Sequence, residues 1–159
     1  MAPKNSRLRQ RHEPHLHGGW VATKQENQWI EVDLLLPRRI FAISTQGKSS
    51  IRVDGTRLFQ GNVLPRYWGY VEFYTLTSNY IGGFRPVIVD GEQQVRGNSD
   101  TDTIVTHEFT ARIGRSWRLQ PLRIAGSGGL RWDLFGCPFC EYYLVFSEKS
   151  PFTIPQLFE

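Results

Sequence analysis

A chain of 159 residues with 40% hydrophobic and 13% aromatic content is long enough to bury one sizeable core, and one domain is the default reading. No window reaches the roughly 18 uninterrupted apolar residues of a membrane-spanning helix, and no apolar segment follows the basic start, so no secretory signal is visible. Lysine and arginine outnumber aspartate and glutamate by 19 to 15, which favours an anionic partner carrying phosphate, sulfate or carboxylate over a cationic one, the alternative being a merely basic surface.

The first predicted feature is a basic arm around Arg7, Arg9 and Arg11, running into His12-Glu13-Pro14-His15-Leu16-His17. That cluster has metal-ligand residue types, but a proline and the lack of a fixed scaffold favour a mobile arm over a transition-metal site. The arm also has the backbone-attracting charge of a nucleic-acid contact, a reading set aside because Arg7 and Leu8 have a structural job given below. From here the dominant pattern is period two punctuated by glycine turns, which predicts half-buried strands and almost no helix. In 28–34, Ile30, Val32 and Leu34 share one face and Trp29, Glu31 and Asp33 the other. Pro37-Arg38-Arg39 predicts a corner, and 40–45 a second strand ending at Gln46-Gly47.

Residues 48–68 read as an excursion, with Asp54-Gly55 suited to a tight hairpin turn and Pro65 closing it. Further strands are predicted at 70–77, 84–89, 103–109, 116–122 and 130–135, separated by glycine-containing turns. About eight short antiparallel strands imply an all-β jelly-roll sandwich. Past Cys137 the character changes: Tyr142-Tyr143-Leu144-Val145-Phe146 is apolar on both faces and a proline-containing tail follows. Residues 1–137 are therefore taken as the domain and 138–159 as a tail, read either as an added edge strand or as a segment that seeks a partner. Two cysteines, Cys137 and Cys140, are too few for a disulfide scaffold, and one CxxC lacks the second pair of a four-thiolate zinc site.

Ser6-Arg7-Leu8, Gly19-Trp20, Gln28-Trp29-Ile30-Glu31-Val32-Asp33-Leu34, Thr45-Gln46-Gly47, Gly97-Asn98, Trp117-Arg118-Leu119-Gln120-Pro121 and Leu130-Arg131-Trp132-Asp133-Leu134-Phe135-Gly136-Cys137 occur in that order. Together they resemble the successive landmarks of the discoidin, or coagulation factor V/VIII C-type, domain. The resemblance implies a galactose-binding-like jelly roll, an extracellular setting and non-catalytic recognition of anionic phospholipid, glycan or matrix protein. Two departures stand out. The family's usual first strand and first cysteine, the partner of the cysteine matching Cys137, have no counterpart before Ser6. Either the N-terminus is shortened or the tail after Cys137 covers the vacated edge, since an open edge invites aggregation. Cys137 and Cys140 then either bridge each other or stay as free thiols.

The second departure is the length of 48–68, which matches one of the family's recognition loops. In lipid-binding members its tip carries apolar side chains above a ring of basic ones. The comparable residues are Leu58 and Phe59 with Lys48, Arg52, Arg57 and Arg66, joined by Arg7, His15, His17 and Lys24 from neighbouring loops. For a sugar, Tyr67 and Trp68 supply aromatic faces. Each apolar residue has a second reading as hairpin core, and Trp68 as the buried start of the next strand. A related family pocket for C-terminal arginine needs an acid after Trp20, and Val21-Ala22-Thr23-Lys24-Gln25 supplies none.

Calcium often supports loops of this fold, and Asp100, Asp102 and Asp133 offer oxygen ligands, although Asp100 and Asp102 more simply make a turn. His107 and Glu108, adjacent on a strand, point to opposite faces and cannot serve one another in catalysis. No nucleophile elbow, phosphate loop or dinucleotide fingerprint occurs. The leading reading is an adhesion module for anionic lipid or glycan working through 48–68; the alternative is a protein-interaction domain for collagen or a receptor. Neither catalysis nor nucleic-acid binding is expected.

Overall fold

The structure, a computed structural model, describes residues 7–9, 12–13, 16–17, 19–21, 27–48 and 69–138. Every regular element among them is a strand: β1 (His12–Glu13), β2 (Leu16–His17), β3 (Trp20–Val21), β4 (Ile30–Gln46), β5 (Gly69–Asn79), β6 (Arg85–Pro86), β7 (Gln94–Arg96), β8 (Val105–Gly126) and β9 (Gly129–Pro138). β1 and β2 pair with each other, and the remaining seven form one antiparallel sheet in the order β3-β9-β4-β8-β5-β6, with β7 also on β5.

Two long strands organise the molecule. Residues 30–33 of β4 pair with 116–119 of β8, and 38–45 of β4 pair with 105–114 of β8. Outside them, β5 joins β8 over 116–126 and β9 joins β4 over 38–46. Each long strand thus passes from one half of the sheet into the other. The sheet curls until its halves meet face to face, with Ile43, Leu130 and Trp132 from one and Val71, Tyr74, Leu76 and Leu119 from the other in a single core. The pleat explains the selection: Trp117 and Leu119 are buried while the intervening Arg118 is not. Each such burial contributes roughly 1.5–3 kcal/mol.

The corner expected at Pro37-Arg38-Arg39 is present, but it does not end the strand. Asp33 pairs with Ser116 and Arg38 with Gly114, so Leu34, Leu35, Leu36 and Pro37 bulge out opposite Arg115 alone. Leu35 takes a left-handed backbone at φ 66°. Asp33 holds the bulge: Oδ1 accepts the Leu35 N–H at 2.8 Å, and the Arg115 guanidinium donates to both carboxylate oxygens at 2.9 Å. The Arg115 bonds, and then the Leu35 N–H, keep the Asp33 carboxyl below its ordinary value.

Two other expectations change in the same way. Predicted strands 103–109 and 116–122 are one strand, β8, continuous through Gly114, where an added Cβ would lie 2.8 Å from the Trp117 indole nitrogen. The strand expected over 84–89 shrinks to β6 and an isolated bridge from Val89 to Glu92. Pro86 lacks a ladder donor, and Asp90 turns the chain at φ 52°. Among the described residues there are nine strands, of very unequal length rather than uniformly short.

Candidate functional site

At one end of the sandwich Lys48 and Gly69 exchange backbone hydrogen bonds of 2.8 and 3.1 Å. The chain between them, 49–68, lies outside the described residues. Around this neck the carbonyls of irregular chain are met by side-chain donors. Arg131 donates from Nε to Gly47 O at 2.7 Å and from Nη2 to Thr101 O at 2.9 Å. Gln46 Nε2 reaches Asp102 O at 2.6 Å, and Asn98 Nδ2 reaches Thr45 O at 3.2 Å and Thr103 O at 2.9 Å. Buried carbonyls need such partners, and those of Gly47, Thr101, Asp102 and Thr103 lie outside the strands. Gly47 fits because a Cβ would come within 2.6 Å of Asp100 O and Thr101 Cα.

Lys48 and Arg131 are both buried in this neck, at 3% and 8% exposure. Burial, and then the Arg131 charge, lower the Lys48 ammonium to a pKa of about 8. Burial also lowers Arg131, with Asp102 acting in the opposite direction. We refer to this as the loop end.

Beside it lies an open concavity of about 470 Å³ lined by Tyr70, Glu72, Phe73, Arg96, Asn98, Ser99 and Arg123. Its wall is a cross-strand row, because Phe73 on β5 pairs with Arg96 on β7 and with Arg123 on β8. Register shifts on either side of Phe73 interrupt the alternation of β5, leaving Glu72 and Phe73 both half-buried instead of one in and one out. Glu72 pairs with the Arg123 guanidinium, whose carbon lies 5.9 Å from the Phe73 ring centroid. Arg96 is exposed and has no acidic partner among the described residues. The arrangement offers an aromatic face between two guanidinium groups, one of them already neutralised.

The residues expected at the recognition loop fare unequally. Arg52, Arg57, Leu58, Phe59, Arg66, Tyr67, Trp68, His15 and Lys24 lie outside the described residues, as do the Asp54-Gly55 turn, Cys140 and the tail from 139. His17 pairs with His12 in the β1–β2 ladder, and its side chain is not among those described. Arg7 is exposed and its Nε meets Asp133 Oδ1 at 3.3 Å. Lys48 needs correcting: it is not part of an exposed basic ring, because the turn at Gly128-Gly129 and Arg131 close over it.

The calcium ligands also need correcting. Asp100 accepts from the Asp102 N–H, the Thr103 N–H and the Thr103 hydroxyl at 2.6 to 2.7 Å, which makes it a turn residue, and Asp133 is taken by Arg7. No group of three or more histidine, cysteine or acidic side chains among the described residues is suited to a metal ion. Asp100, Asp102 and Asp133 therefore do not fit a calcium cage. Cys137 is exposed and carries no disulfide.

No protein-family profile matches the chain. Neuropilin-1a of Danio rerio is 30% identical over 128 residues, covering 78% of this chain and 13% of its own length. Coagulation factor VIII of Canis lupus familiaris is 30% identical over 152 residues, covering 94% of this chain and 6% of its own. Among solved structures, discoidin II of Dictyostelium discoideum superposes with a TM-score of 0.65 at 22% identity, over 86% of this chain and 50% of that one. The chain belongs to the discoidin, or coagulation factor V/VIII C-type, family. The discoidin domain spans only a small share of these curated relatives, and its curled antiparallel sheet is the jelly-roll sandwich of that fold. No helix among its described residues is long and apolar enough to cross a membrane.

Sequence reasoning missed the Arg96–Phe73–Arg123 row of this discoidin domain and the inward placement of Arg131. The row depends on pairing between segments more than twenty residues apart and on a local register shift, neither of which a single strand's pattern encodes.

Proposed function

We propose that this discoidin domain is a non-catalytic recognition module of the cell surface or matrix that takes an acidic glycan into the concavity beside the loop end. One observation carries the reading: Phe73 stands in register between Arg96 and Arg123. An aromatic face packs on the apolar side of a sugar ring, and a planar guanidinium matches a carboxylate or sulfate with two parallel hydrogen bonds. Arg96, exposed and without an acidic partner among the described residues, is the group for the anion, while Glu72 keeps Arg123 oriented along the wall. The open form of the concavity suits a chain end or side branch better than a fully enclosed small molecule.

The test is titration calorimetry with uronate-bearing or sulfated oligosaccharides against their neutral counterparts. Wild type is expected to retain the acidic sugars only, with affinity falling as salt rises. Arg96→Gln and Phe73→Ala are each expected to weaken binding by about tenfold or more, given roughly 1.5–3 kcal/mol for a charge-assisted bond. Equal retention of neutral sugars, or none of either kind, would sink the proposal.

A further inference from the structure

The chain from β6 to β7 runs beside β5 from one end of the sandwich to the other. It leaves the corner end, where the β4 bulge and the hairpin after β5 stand on either side of Ser116, and arrives with Arg96 at the concavity. Two side chains of β8 fasten it. Arg112 donates to Pro86 O at 2.6 Å near the corner end, and His107 Nε2 lies 2.7 Å from Arg96 O beside the concavity. The second fastening holds the carbonyl of the very residue assigned to the anion.

The His107 ring is placed for both of its protonation states. A carbonyl only accepts, so Nε2 carries the hydrogen, and Nδ1 of the neutral ring is a bare acceptor. Nδ1 faces Asp90 Oδ2 at 3.8 Å, too long for a hydrogen bond, and two acceptors have nothing to draw them together. Adding a proton makes both nitrogens donors and the ring a cation, so the bond to Arg96 O stays and a charge-assisted contact to Asp90 becomes available. Asp90 is free to close that gap, because its side chain is 83% exposed on a turn held by the Val89–Glu92 bridge. The His107 side chain is only 18% exposed and stays where it is.

Among the described residues, the surrounding charges leave this pairing without a rival. β4 sets uncharged Ala42, Ile43 and Ser44 opposite 106–108. Glu108, next on β8, points to the other face. Arg112 is engaged at Pro86, Glu92 closes the Asp90 turn, Glu72 is paired with Arg123, and the Arg96 side chain is exposed. Asp90 is the acid that contacts the ring. We propose that His107 is a positioning residue for the concavity, given the reading of Arg96 as its anion-binding group: on taking up a proton it clasps Asp90 and Arg96 O together, fixes the backbone from which the guanidinium projects, and so raises affinity for the acidic ligand as pH falls. Imidazole is the side chain whose charge changes between about pH 5 and 8, and the affinity is expected to change across that range.

The experiment is titration calorimetry of the full chain with a sulfated heparin hexasaccharide, whose sulfates keep their charge, at about pH 5.5 and about pH 7.5. Wild type is expected to bind about two- to fivefold more tightly at the lower pH, the scale of one exposed ion pair. His107→Gln keeps a donor for Arg96 O but takes up no proton, and Asp90→Asn keeps the turn, since asparagine accepts φ 52°. Both are expected to lose the pH dependence while binding as wild type does at the higher pH. Amide exchange at 94–97, measured without sugar and compared with His107→Gln at the same pH, is expected to be slower in wild type at the lower pH only. Equal wild-type affinity at both pH values, a slope retained in either variant, or no slowing of these amides in acid would overturn the proposal. Slowed amides in a wild type that binds no sugar at either pH would support the clasp and sink the glycan reading.

Discussion

At the loop end Lys48, Asn98 and Arg131 are buried and the latter two serve backbone carbonyls, whereas at the corner end Leu35, Leu36 and Ile81 face solvent and the arginines lie around them. Polar groups are inside at one end and apolar groups outside at the other. The difference follows from how each end is closed. The loop end joins segments distant in sequence through irregular chain whose carbonyls have no ladder partner, so long donors must be drawn in to satisfy them. The corner end is closed by two continuous strands that keep their own ladder on either side of one bulge, so its side-chain bonds to the backbone, Asp33 to Leu35 N–H and Arg112 to Pro86 O, are made by exposed groups. Buried polar contacts therefore hold the first end, whereas apolar side chains are exposed at the second.

The largest test of that division is Arg131→Met. It leaves Gly47 O and Thr101 O without donors, and a loss of about 3 kcal/mol in urea unfolding is expected from two buried acceptors at 1–3 kcal/mol each. A loss below about 1 kcal/mol would mean that the neck is not held from within.

A smaller effect concerns pH. Lys48 has a pKa of about 8 in the fold against an ordinary 10.5, so between those values the unfolded chain binds more protons than the folded one. Stability then rises with pH across that window and is insensitive to this group below it. Wild type is expected to gain on Lys48→Met by roughly 2–3 kcal/mol between pH 8 and 10.5. A difference between the two proteins that stays constant over the window would place Lys48 in solvent.

The smallest effect is expected from Arg115→Ala, which removes the most regular ion pair of the corner end. Both partners are solvent-exposed, so the urea midpoint should not move, while proteolysis within 34–37 should quicken as the bulge loses its clamp. A midpoint shift as large as that of Arg131→Met would erase the contrast between the ends.

Much of the fold was legible because the half-buried strands report their own inner face. The shared face of Ile30, Val32 and Leu34 read correctly from alternation, since Ile30 is buried and the other two pack against the core, and the ordered landmarks carried the family. What was not legible had non-local causes. Alternation sets Arg131 on the face opposite Leu130 and Trp132, which reads as solvent until loops at 47 and 101 arrive to cover it. The split of β8 into two strands came from 110–115, where Gly114 interrupts the pattern for the sake of a tryptophan three residues on. Lys48 was taken for a surface cation because lysine is rarely buried without a special reason, and the reason here is a neck assembled from three distant segments. The arginine and phenylalanine of the concavity were individually unremarkable until pairing placed them in one row.

The long strands have a mechanical consequence. β4 and β8 each run through both halves of the sheet and are bonded to each other along most of their length. A pull applied between the loop end and the corner end is directed along these strands. It loads their ladder bonds in shear, all together, instead of peeling them apart one at a time. Force-extension measurements with the pulling points at the two ends should therefore record a higher rupture force than pulling across the sheet.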